Sequence, residues 1–369
     1  MSSGTRLDPV PLDDYDLREP LGSGAMARVF EAVHRKTGRA VAIKLLDGAS
    51  RGSRELRERM AREAVVLASV TSPNVSRLLG YGWESDQPFL VLERLEGETL
   101  ADVLRREGRL GAARLVDWVE QLLIGARDCH RANVIHRDIK PANIFLVRPP
   151  QGGEPTVKLI DFGVARLNEI ASAGTSLTST HHLIGSMGYM APEQLEYAKG
   201  VAPTADLYAI GVVLFRCVSG RLPFVGRSFE ALTKLKCEAT APVLSTMPGV
   251  VPNELLDAFV ARALSRDPEA RFGSATEMLE EWWRVAAALD RAAPMPEVDV
   301  VFDEDEWVST IVESLSRSAS NAIASSNGTT GANPVVRTMD DPEAATDPEL
   351  QRPTENTLRA AREVDPPAD

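Results

Sequence analysis

The 369-residue sequence contains few cysteines and few lysines. Its three cysteines, Cys129, Cys217 and Cys237, are too few and too far apart for a disulfide framework or a cysteine-based zinc site. We therefore expect them to be small buried thiols in a reducing compartment. Arginine outnumbers lysine by 34 to 7, and two of these lysines, Lys44 and Lys140, lie inside motifs that could carry chemistry.

Long apolar segments are also missing. No window approaches the roughly 18 uncharged apolar residues of a membrane-spanning helix, and the most apolar run, residues 209–215, ends at Arg216. The first 16 residues contain acids and prolines where a signal peptide would have a basic start and an apolar core. These patterns predict a cytoplasmic protein without a membrane span.

The charge balance shows no excess of basic residues. The net charge is −12, and residues 292–369 account for −11 of it, with 16 acidic residues against 5 arginines, which leaves about −1 for residues 1–291. Binding to nucleic acid needs a basic stripe on the surface. We therefore expect no nucleic-acid partner.

Residues 292–369 also differ in composition from the rest of the chain. They combine acids and prolines with small polar residues, and such a segment buries too little apolar surface to fold. The composition predicts a disordered tail. Within it, residues 307–312 form an apolar patch flanked by acids. This patch is either a short motif that docks partner proteins or part of a linker with a single tryptophan.

An acid, a cation and an amide lie close together in residues 136–143, His-Arg-Asp-Ile-Lys-Pro-Ala-Asn. Asp138 can accept a proton from a hydroxyl group, Lys140 can meet a transferring phosphate, and Asn143 can hold a metal ion through its side-chain oxygen. The proline between them prevents a continuous helix, and the apolar residues 144–147 predict a buried strand. The stretch indicates phosphoryl transfer, and the alternative is a solvated basic loop.

A second acid follows the next predicted strand. Residues 156–160 are mostly apolar, and Asp161 comes directly after them, before a glycine. A carboxylate at the end of a strand can bind Mg²⁺. Together with Asn143, which comes from a different part of the chain, Asp161 predicts a metal site with two protein oxygens.

Two glycines and a lysine near the N-terminus suggest contacts to phosphate groups. Gly22 and Gly24 separate two predicted strands, where glycines let backbone N–H groups approach phosphate oxygens, although an ordinary hairpin turn would use the same residues. Lys44 interrupts an apolar strand, so it is either an edge residue that faces solvent or a buried cation that needs a partner. Glu63, in the helical pattern of residues 53–69, is a candidate partner among several acids of that helix.

In their order along the chain, these motifs resemble those of the eukaryotic-type (Hanks-type) serine/threonine protein kinases, in their bacterial branch. The matching patterns are G-x-G-x-x-A-x-V from Gly22, with Ala27 in place of a third glycine, H-R-D-x-x-x-x-N from His136, D-F-G from Asp161 and A-P-E from Ala191. The resemblance covers roughly residues 15–290.

The resemblance implies a two-lobed α+β fold. After an N-terminal extension of residues 1–14, a kinase domain would cover residues 15–291. Its small β-rich N-lobe, residues 15–94, would contain one main helix, and its larger C-lobe, residues 95–291, would be mostly helical. The acidic tail would follow.

The resemblance also implies catalytic roles for Asp138, Lys140, Lys44 and Glu63 and metal-binding roles for Asn143 and Asp161. Asp138 would orient the substrate hydroxyl and accept its proton, and Lys140 would neutralise the γ-phosphoryl group. Asn143 and Asp161 would hold Mg²⁺.

The remaining contacts to ATP would come mainly from the N-lobe. An ion pair with Glu63 would hold Lys44 on the α- and β-phosphates. The implied nucleotide-binding residues are Leu21, Gly22, Gly24, Val29, Ala42, Lys44, Glu93 and Leu95, the last two through backbone groups. Leu92 would be the gatekeeper residue behind the adenine.

Residues 164–190 would form the activation loop. Arg137 is the kind of cation that pairs with a phosphate on such a loop, and the candidate phosphorylation sites are Thr175, Thr178 and Thr180. Asp206 would accept hydrogen bonds from backbone N–H groups of the catalytic loop. Arg271 would form a buried, structural ion pair with Glu193.

The implied function is a serine/threonine protein kinase that transfers the γ-phosphoryl group of ATP, with Mg²⁺, to hydroxyl groups of protein substrates in cytoplasmic signalling. Autophosphorylation of the activation loop would activate it. The alternative is a pseudokinase or scaffold that binds nucleotide and partners without transfer; it predicts a lost catalytic residue, and none is lost. A small-molecule kinase is a further alternative, but the A-P-E segment and the threonine-rich loop favour a protein substrate.

Overall fold

The computed structural model describes residues 8–24, 27–46, 54–161, 187–196 and 201–289. The predicted phosphorylation sites Thr175, Thr178 and Thr180 and the predicted tail, residues 292–369, lie outside these ranges. Of the helices within the ranges, none combines the length and the apolar character that a membrane crossing requires.

The described residues of the N-terminal part form a five-stranded antiparallel sheet and one α-helix. The strands are β1 (Tyr15–Gly24), β2 (Ala27–His34), β3 (Ala40–Leu46), β4 (Leu78–Glu84) and β5 (Gln87–Glu93), and they lie side by side in the order β1-β2-β3-β5-β4. The helix α1 (Arg54–Ala68) connects β3 to β4. All residues of the central strand β3 after Ala40 are buried, which explains its continuous apolar run.

Apolar side chains cover both faces of this sheet. On one face, Leu46 packs in a cluster with Met60, Ala64 and Leu67 of α1, whose three- and four-residue spacing predicts the helix. The cluster on the other face consists of Tyr15, Ala32, Val41, Ile43, Leu45, Phe89 and Val91. Because side chains alternate along a strand, Lys44 points to the face that α1 covers.

The C-terminal part is mostly helical. It begins with β6 (Gly97–Thr99), which forms a three-stranded sheet with β7 (Ile144–Val147) and β8 (Thr156–Leu159). The α-helices among its described residues are α2 (Leu100–Glu107), α3 (Ala112–Arg131), α4 (Pro192–Glu196), α5 (Thr204–Ser219), α6 (Phe229–Glu238), α7 (Glu254–Ala263) and α8 (Ala275–Ala288). The β-rich part followed by a helical part confirms the predicted α+β fold.

Helix α5 lies at the centre of the helical core. Every residue from Ala205 to Ser219 is buried, and the same apolar cluster includes Trp282 of α8. The indole N–H of Trp282 donates to the carbonyl of Val116 in α3 at 3.2 Å. Gly220 caps α5 in the left-handed conformation, with φ of 74°. The rigid core therefore supports the segments that reach the site from α3, α4 and α5.

The three cysteines are free thiols. Cys129 and Cys217 are buried, as predicted. Cys237 lies in the last turn of α6 and is only half-buried, so the prediction of buried thiols is wrong for this residue.

Candidate active site

Asp206, in the first turn of α5, organises the loop that carries the H-R-D motif. Its carboxylate is 1% exposed and accepts hydrogen bonds from the backbone N–H groups of His136 (2.9 Å) and Arg137 (2.8 Å). It also lies 2.8 Å from Nε2 of His130. Burial would raise the pKa of Asp206, but the hydrogen bonds with the His130 side chain and with the backbone N–H of His136 outweigh burial and hold the pKa below its usual value. The backbone contacts agree with the interpretation of Asp206 made from the sequence.

His136 connects this loop to the segment that ends at Asp161. Its ring is buried; Nε2 lies 3.0 Å from the carbonyl oxygen of Ile160, and the backbone N–H of Asp138 donates to Nδ1 at 3.3 Å. Burial lowers the pKa of His136 despite the nearby carboxylates. A neutral ring with its proton on Nε2 satisfies both contacts. The His136 ring therefore fixes the position of Asp138 relative to Ile160, the residue directly before Asp161.

Two residues of the site have left-handed backbone conformations. The φ angles of Arg137 and Asp161 are 68° and 62°, and such conformations cost about 1–3 kcal/mol in residues other than glycine. Arg137 is held there by Asp206 at its N–H and by Gln194, whose side-chain amide donates to the Arg137 carbonyl at 3.0 Å. Backbone strain at these two positions is consistent with a functional site, since strained residues cluster at such sites.

The carboxylate of Asp138 is oriented by the two other polar residues of the motif. Its Oδ2 lies 3.0 Å from Nζ of Lys140 and 2.9 Å from Nδ2 of Asn143. Nδ2 of Asn143 also donates to the Asp138 carbonyl at 2.7 Å. Among the contacts between described residues, Oδ1 of Asp138 has no partner. One carboxylate oxygen is thus fixed and the other can accept a hydroxyl proton.

Asp161 brings a second carboxylate next to the first. The backbone N–H of Ile160 donates to the carbonyl of Asn143 at 3.0 Å, which aligns Asp161 with Asn143. Burial raises the pKa of Asp161, but Lys44 outweighs burial and holds the pKa below its usual value. Oxygen ligands of this kind suit Mg²⁺.

Lys44 is a buried cation, not an edge residue facing solvent. It is 6% exposed, and its Nζ forms an ion pair with Oδ2 of Asp161 at 2.9 Å. Glu63 lies on α1, half-buried, on the helix that covers the same face of the sheet. The ion pair between Lys44 and Glu63 stays a prediction.

Residues 15–284 match the family described as protein kinase domain. The chain belongs to the protein kinase family. The chain is similar to the serine/threonine-protein kinase pkn2 of Myxococcus xanthus, with 35% identity over 295 residues, which are 78% of this chain and 34% of that protein. It is similar to the serine/threonine-protein kinase PksC of Streptomyces coelicolor, with 36% identity over 289 residues, 76% of this chain and 50% of that protein.

A third bacterial relative is covered over more of its length. The serine/threonine-protein kinase PknL of Mycobacterium tuberculosis is 31% identical over 281 residues, which are 75% of this chain and 68% of PknL. The chain spans only 34% to 50% of the pkn2 and PksC proteins. The relatives place the chain among bacterial kinases of the Hanks type.

The face of the kinase sheet that carries Lys44 is suited to a nucleotide. In the strand register, Val29 lies opposite Lys44, and Gly22 lies opposite Val29. Ala42 lies opposite Leu92. Cross-strand partners share a face, so these residues form a continuous surface beside Lys44. Leu21 and Gly22 are exposed at its rim, and Gly24 ends β1.

The backbone after β5 leaves specific groups available to adenine. The N–H of Glu93 donates to the carbonyl of Arg77 at 3.0 Å, and its carboxylate accepts from Lys158 at 2.7 Å. The carbonyl of Leu95 accepts from the guanidinium of Arg94. Among the described contacts, the N–H of Leu95 has no partner. A nucleotide contact at Glu93 must therefore use its carbonyl, whereas Leu95 can donate its N–H.

The buried Arg271 forms an ion pair with the half-buried Glu193 in the kinase domain. The two guanidinium nitrogens of Arg271, which is 2% exposed, donate to the two carboxylate oxygens of Glu193 at 2.7 and 2.8 Å. Arg271 also donates to the carbonyls of Ser265 and Arg266 at 2.7 and 2.9 Å. These bonds satisfy the guanidinium in the interior and tie α4 to the chain after α7.

Two contacts of the site were not predicted from the sequence. Gln194 links α4 to the catalytic loop, and His136 links that loop to Ile160. Gln194 follows the A-P-E segment directly, but a glutamine on a short helix has no pattern that distinguishes it from a solvated one. His136 belongs to the recognised motif, yet its buried neutral ring depends on tertiary packing.

Proposed function

We propose that this chain is a serine/threonine protein kinase that transfers the γ-phosphoryl group of ATP to hydroxyl groups of protein substrates. The observation that carries the proposal is the carboxylate of Asp138, which Lys140 and Asn143 fix at Oδ2 and whose Oδ1 has no partner among the described residues. Membership of the kinase family and the similarity to bacterial serine/threonine kinases support it.

The proposed reaction begins with the substrate hydroxyl at Oδ1 of Asp138. As the hydroxyl oxygen forms its bond to the γ-phosphorus, its proton passes to Asp138, the bond between the γ-phosphorus and the bridging oxygen breaks, and ADP leaves. Lys140, held beside Asp138, neutralises charge on the transferred group.

Asn143 and Asp161 would hold Mg²⁺, which would neutralise charge on the phosphates. Asn143 uses Nδ2 to orient Asp138 and so leaves its side-chain oxygen for the metal. Lys44 would leave Asp161 and bind the α- and β-phosphates, with Glu63 as the proposed partner that keeps it there.

The sheet face with Lys44 would bind the rest of the nucleotide. The proposed contacts are Leu21, Gly22, Gly24, Val29, Ala42, the carbonyl of Glu93 and the N–H of Leu95. The shared face of β1, β2 and β3 supports this assignment.

We further propose a cytoplasmic location and regulation through the predicted activation loop. Phosphate on Thr175, Thr178 or Thr180 would pair with Arg137, and the acidic tail would dock partner proteins. These residues, Arg137 apart, lie outside the described ranges. A pseudokinase or scaffold remains the rival, but the four residues that transfer requires, Lys44, Asp138, Asn143 and Asp161, are present.

Mass spectrometry of the purified chain after incubation with ATP and Mg²⁺ tests the proposal. We expect phosphate on serine or threonine residues, including residues 175–180, in the wild type and none in Asp138→Asn, which keeps the shape of the side chain. Nucleotide binding is measured in both proteins. Bound nucleotide without phosphate transfer in the wild type would favour the scaffold.

A further inference from the structure

Helix α6 carries a buried lysine to which no motif points. Lys236 is 1% exposed, and its Nζ donates to the backbone carbonyls of Gly188 and Met190, both at 2.7 Å. No carboxylate pairs with it among the described residues, since the nearby Glu193 is bonded to Arg271. A lysine is seldom buried without a carboxylate, because hydrogen bonds alone must offset its desolvation.

One aromatic ring contacts both Lys236 and Arg271. The Nζ of Lys236 lies 5.2 Å from the ring centroid of Tyr208, and the guanidinium carbon of Arg271 lies 4.9 Å from the same centroid. The ring attracts both cations. Tyr208, on the central helix α5, therefore helps to hold Lys236 in place.

The carbonyls that Lys236 holds belong to a segment joined to the catalytic loop. Ala191 follows Met190, and its N–H donates to the side-chain oxygen of Gln194 at 3.0 Å. The amide of Gln194 donates to the carbonyl of Arg137 at 3.0 Å, and Arg137 directly precedes Asp138. The hydrogen bonds of Lys236 and Gln194 thus fix residues 188–191 relative to the catalytic carboxylate.

We propose that Lys236 is a positioning residue for the protein substrate. By holding the carbonyls of Gly188 and Met190, it fixes residues 187–191 as the surface on which the substrate backbone beside the accepting hydroxyl rests. This inference rests on the proposed kinase function. Because ATP would bind the sheet face with Lys44, Lys236 acts on the binding of protein and not of nucleotide.

The protonation of Lys236 supplies a separate readout. Burial lowers its pKa to about 7. The titratable and charged groups that face it are Tyr208, Glu193, Arg271 and Cys237. An ammonium donates stronger hydrogen bonds to the two carbonyls than a neutral amine does. The hydrogen bonds from Lys236 to the carbonyls of Gly188 and Met190 are therefore expected to weaken as the pH rises through about 7.

Steady-state kinetics with a defined protein substrate tests the proposal. The substrate is a second, affinity-tagged copy of the full chain that carries Asp138→Asn, and the enzymes are the wild type, Lys236→Met and Lys236→Arg. Lys234→Met is the matched control, since Lys234 lies on the same helix with its side chain 71% exposed.

Lys236→Met loses both hydrogen bonds. It is expected to raise the KM for the protein substrate at least about tenfold, which is the scale of a single charged hydrogen bond, and to leave the KM for ATP unchanged. Lys236→Arg keeps a cation and is expected to return the substrate KM towards the wild-type value. Lys234→Met is expected to match the wild type in both constants. A substrate KM unchanged in Lys236→Met overturns the proposal, as does an equal rise in both KM values.

The pH profile keeps the proposal testable if Lys236→Met does not fold. The wild-type substrate KM is expected to rise between about pH 6 and pH 8, whereas that of Lys236→Arg stays flat because arginine remains charged. A flat wild-type profile overturns the positioning role. If the wild type transfers no phosphate at all, the proposed function fails and the positioning role fails with it; if transfer occurs with the flat profile, only the positioning role fails.

Discussion

Two of the buried lysines among the described residues, Lys44 in the sheet part and Lys236 in the helical part, have hydrogen-bond partners of different kinds. Lys44 in β3 pairs with the carboxylate of Asp161 at 2.9 Å, whereas Lys236 in α6 donates to two backbone carbonyls at 2.7 Å. A carboxylate is a partner that phosphate and metal can replace, but a backbone carbonyl is fixed to the chain. The first arrangement suits a site that exchanges ligands, and the second suits a permanent anchor.

The comparison extends to the residues around each lysine. The Lys44–Asp161 pair joins the sheet part to the helical part, so its geometry depends on how the two parts approach each other. Lys236 lies wholly within the helical part, beside the bidentate ion pair of Arg271 and Glu193. Substitutions at Lys44 should therefore affect chemistry, and those around Lys236 should affect substrate binding and stability.

The largest expected effect is the loss of activity in Lys44→Met. Asp161 loses its counter-ion without this cation, and under the proposed function the α- and β-phosphates would also lose their positioning contact. We expect kcat/KM to fall by about 10³-fold, measured as the initial rate of phosphate incorporation. Lys36→Met, at a lysine that is 74% exposed, is the control and should stay near the wild-type rate. Activity of Lys44→Met near that of the control would remove the distinction between the two lysines.

The next largest effect is expected in stability, from Glu193→Gln. Arg271 would remain buried without a carboxylate, which destabilises a fold by about 3–5 kcal/mol. Urea denaturation at pH 7 measures the free energy of unfolding. Glu269→Gln, an exposed acid close to Arg271 in sequence, should change it by less than about 0.5 kcal/mol. Equal stability of the two variants would show that the ion pair is not needed to anchor α4.

Asp206→Asn should have a smaller effect that depends on pH. The pKa of Asp206 lies below its usual 3.8 in the folded protein, so the charged carboxylate stabilises the fold above about pH 4, and this contribution is lost as the pH falls through the folded pKa. We expect Asp206→Asn to lose about 1–3 kcal/mol at pH 7. The difference from the wild type should shrink towards pH 3 in urea denaturation. A difference independent of pH would assign the effect to hydrogen bonding alone.

The smallest effect is expected in the pH slope of stability that Lys236 creates. Its pKa is about 7 in the folded protein and 10.5 ordinarily. Between these values the unfolded chain binds one proton more, so the free energy of unfolding rises with pH, by up to about 1.4 kcal/mol per unit. Lys236→Met should lose this slope between about pH 7.5 and 9, whereas Lys234→Met should keep it. Equal slopes in both variants would mean that Lys236 keeps its proton on folding.

The sequence predicted a special role for Lys44, but it could not predict one for Lys236. Lys44 stands out because it interrupts an apolar strand, and the periodicity of residues 53–69 predicted α1 nearly to its ends at Arg54 and Ala68. The Arg271–Glu193 pair followed from the family resemblance and is present in the structure. For these features, the local sequence pattern or a family motif was sufficient to predict what the structure shows.

Lys236 could not be recognised in this way. It lies two residues after Lys234 on an amphipathic helix, and only the packing of α6 against the chain before α4 makes one buried and the other exposed. Asp161 as a partner of Lys44 was likewise not predicted, because the two are 117 positions apart in the chain and meet only across the two parts of the fold. Burial and long-range pairing arise in the tertiary structure.

Under the proposed function, the ion pair of Lys44 and Asp161 would make the binding of nucleotide and the binding of metal interdependent. ATP without a metal would draw Lys44 away and leave Asp161 facing phosphate charges of its own sign, and a metal without ATP would leave Lys44 beside a cation. When both bind together, each charged side chain exchanges one opposite partner for another. Under the proposed function, the pair would thus act as an internal competitor that either ligand alone displaces poorly, so each ligand should strengthen the binding of the other.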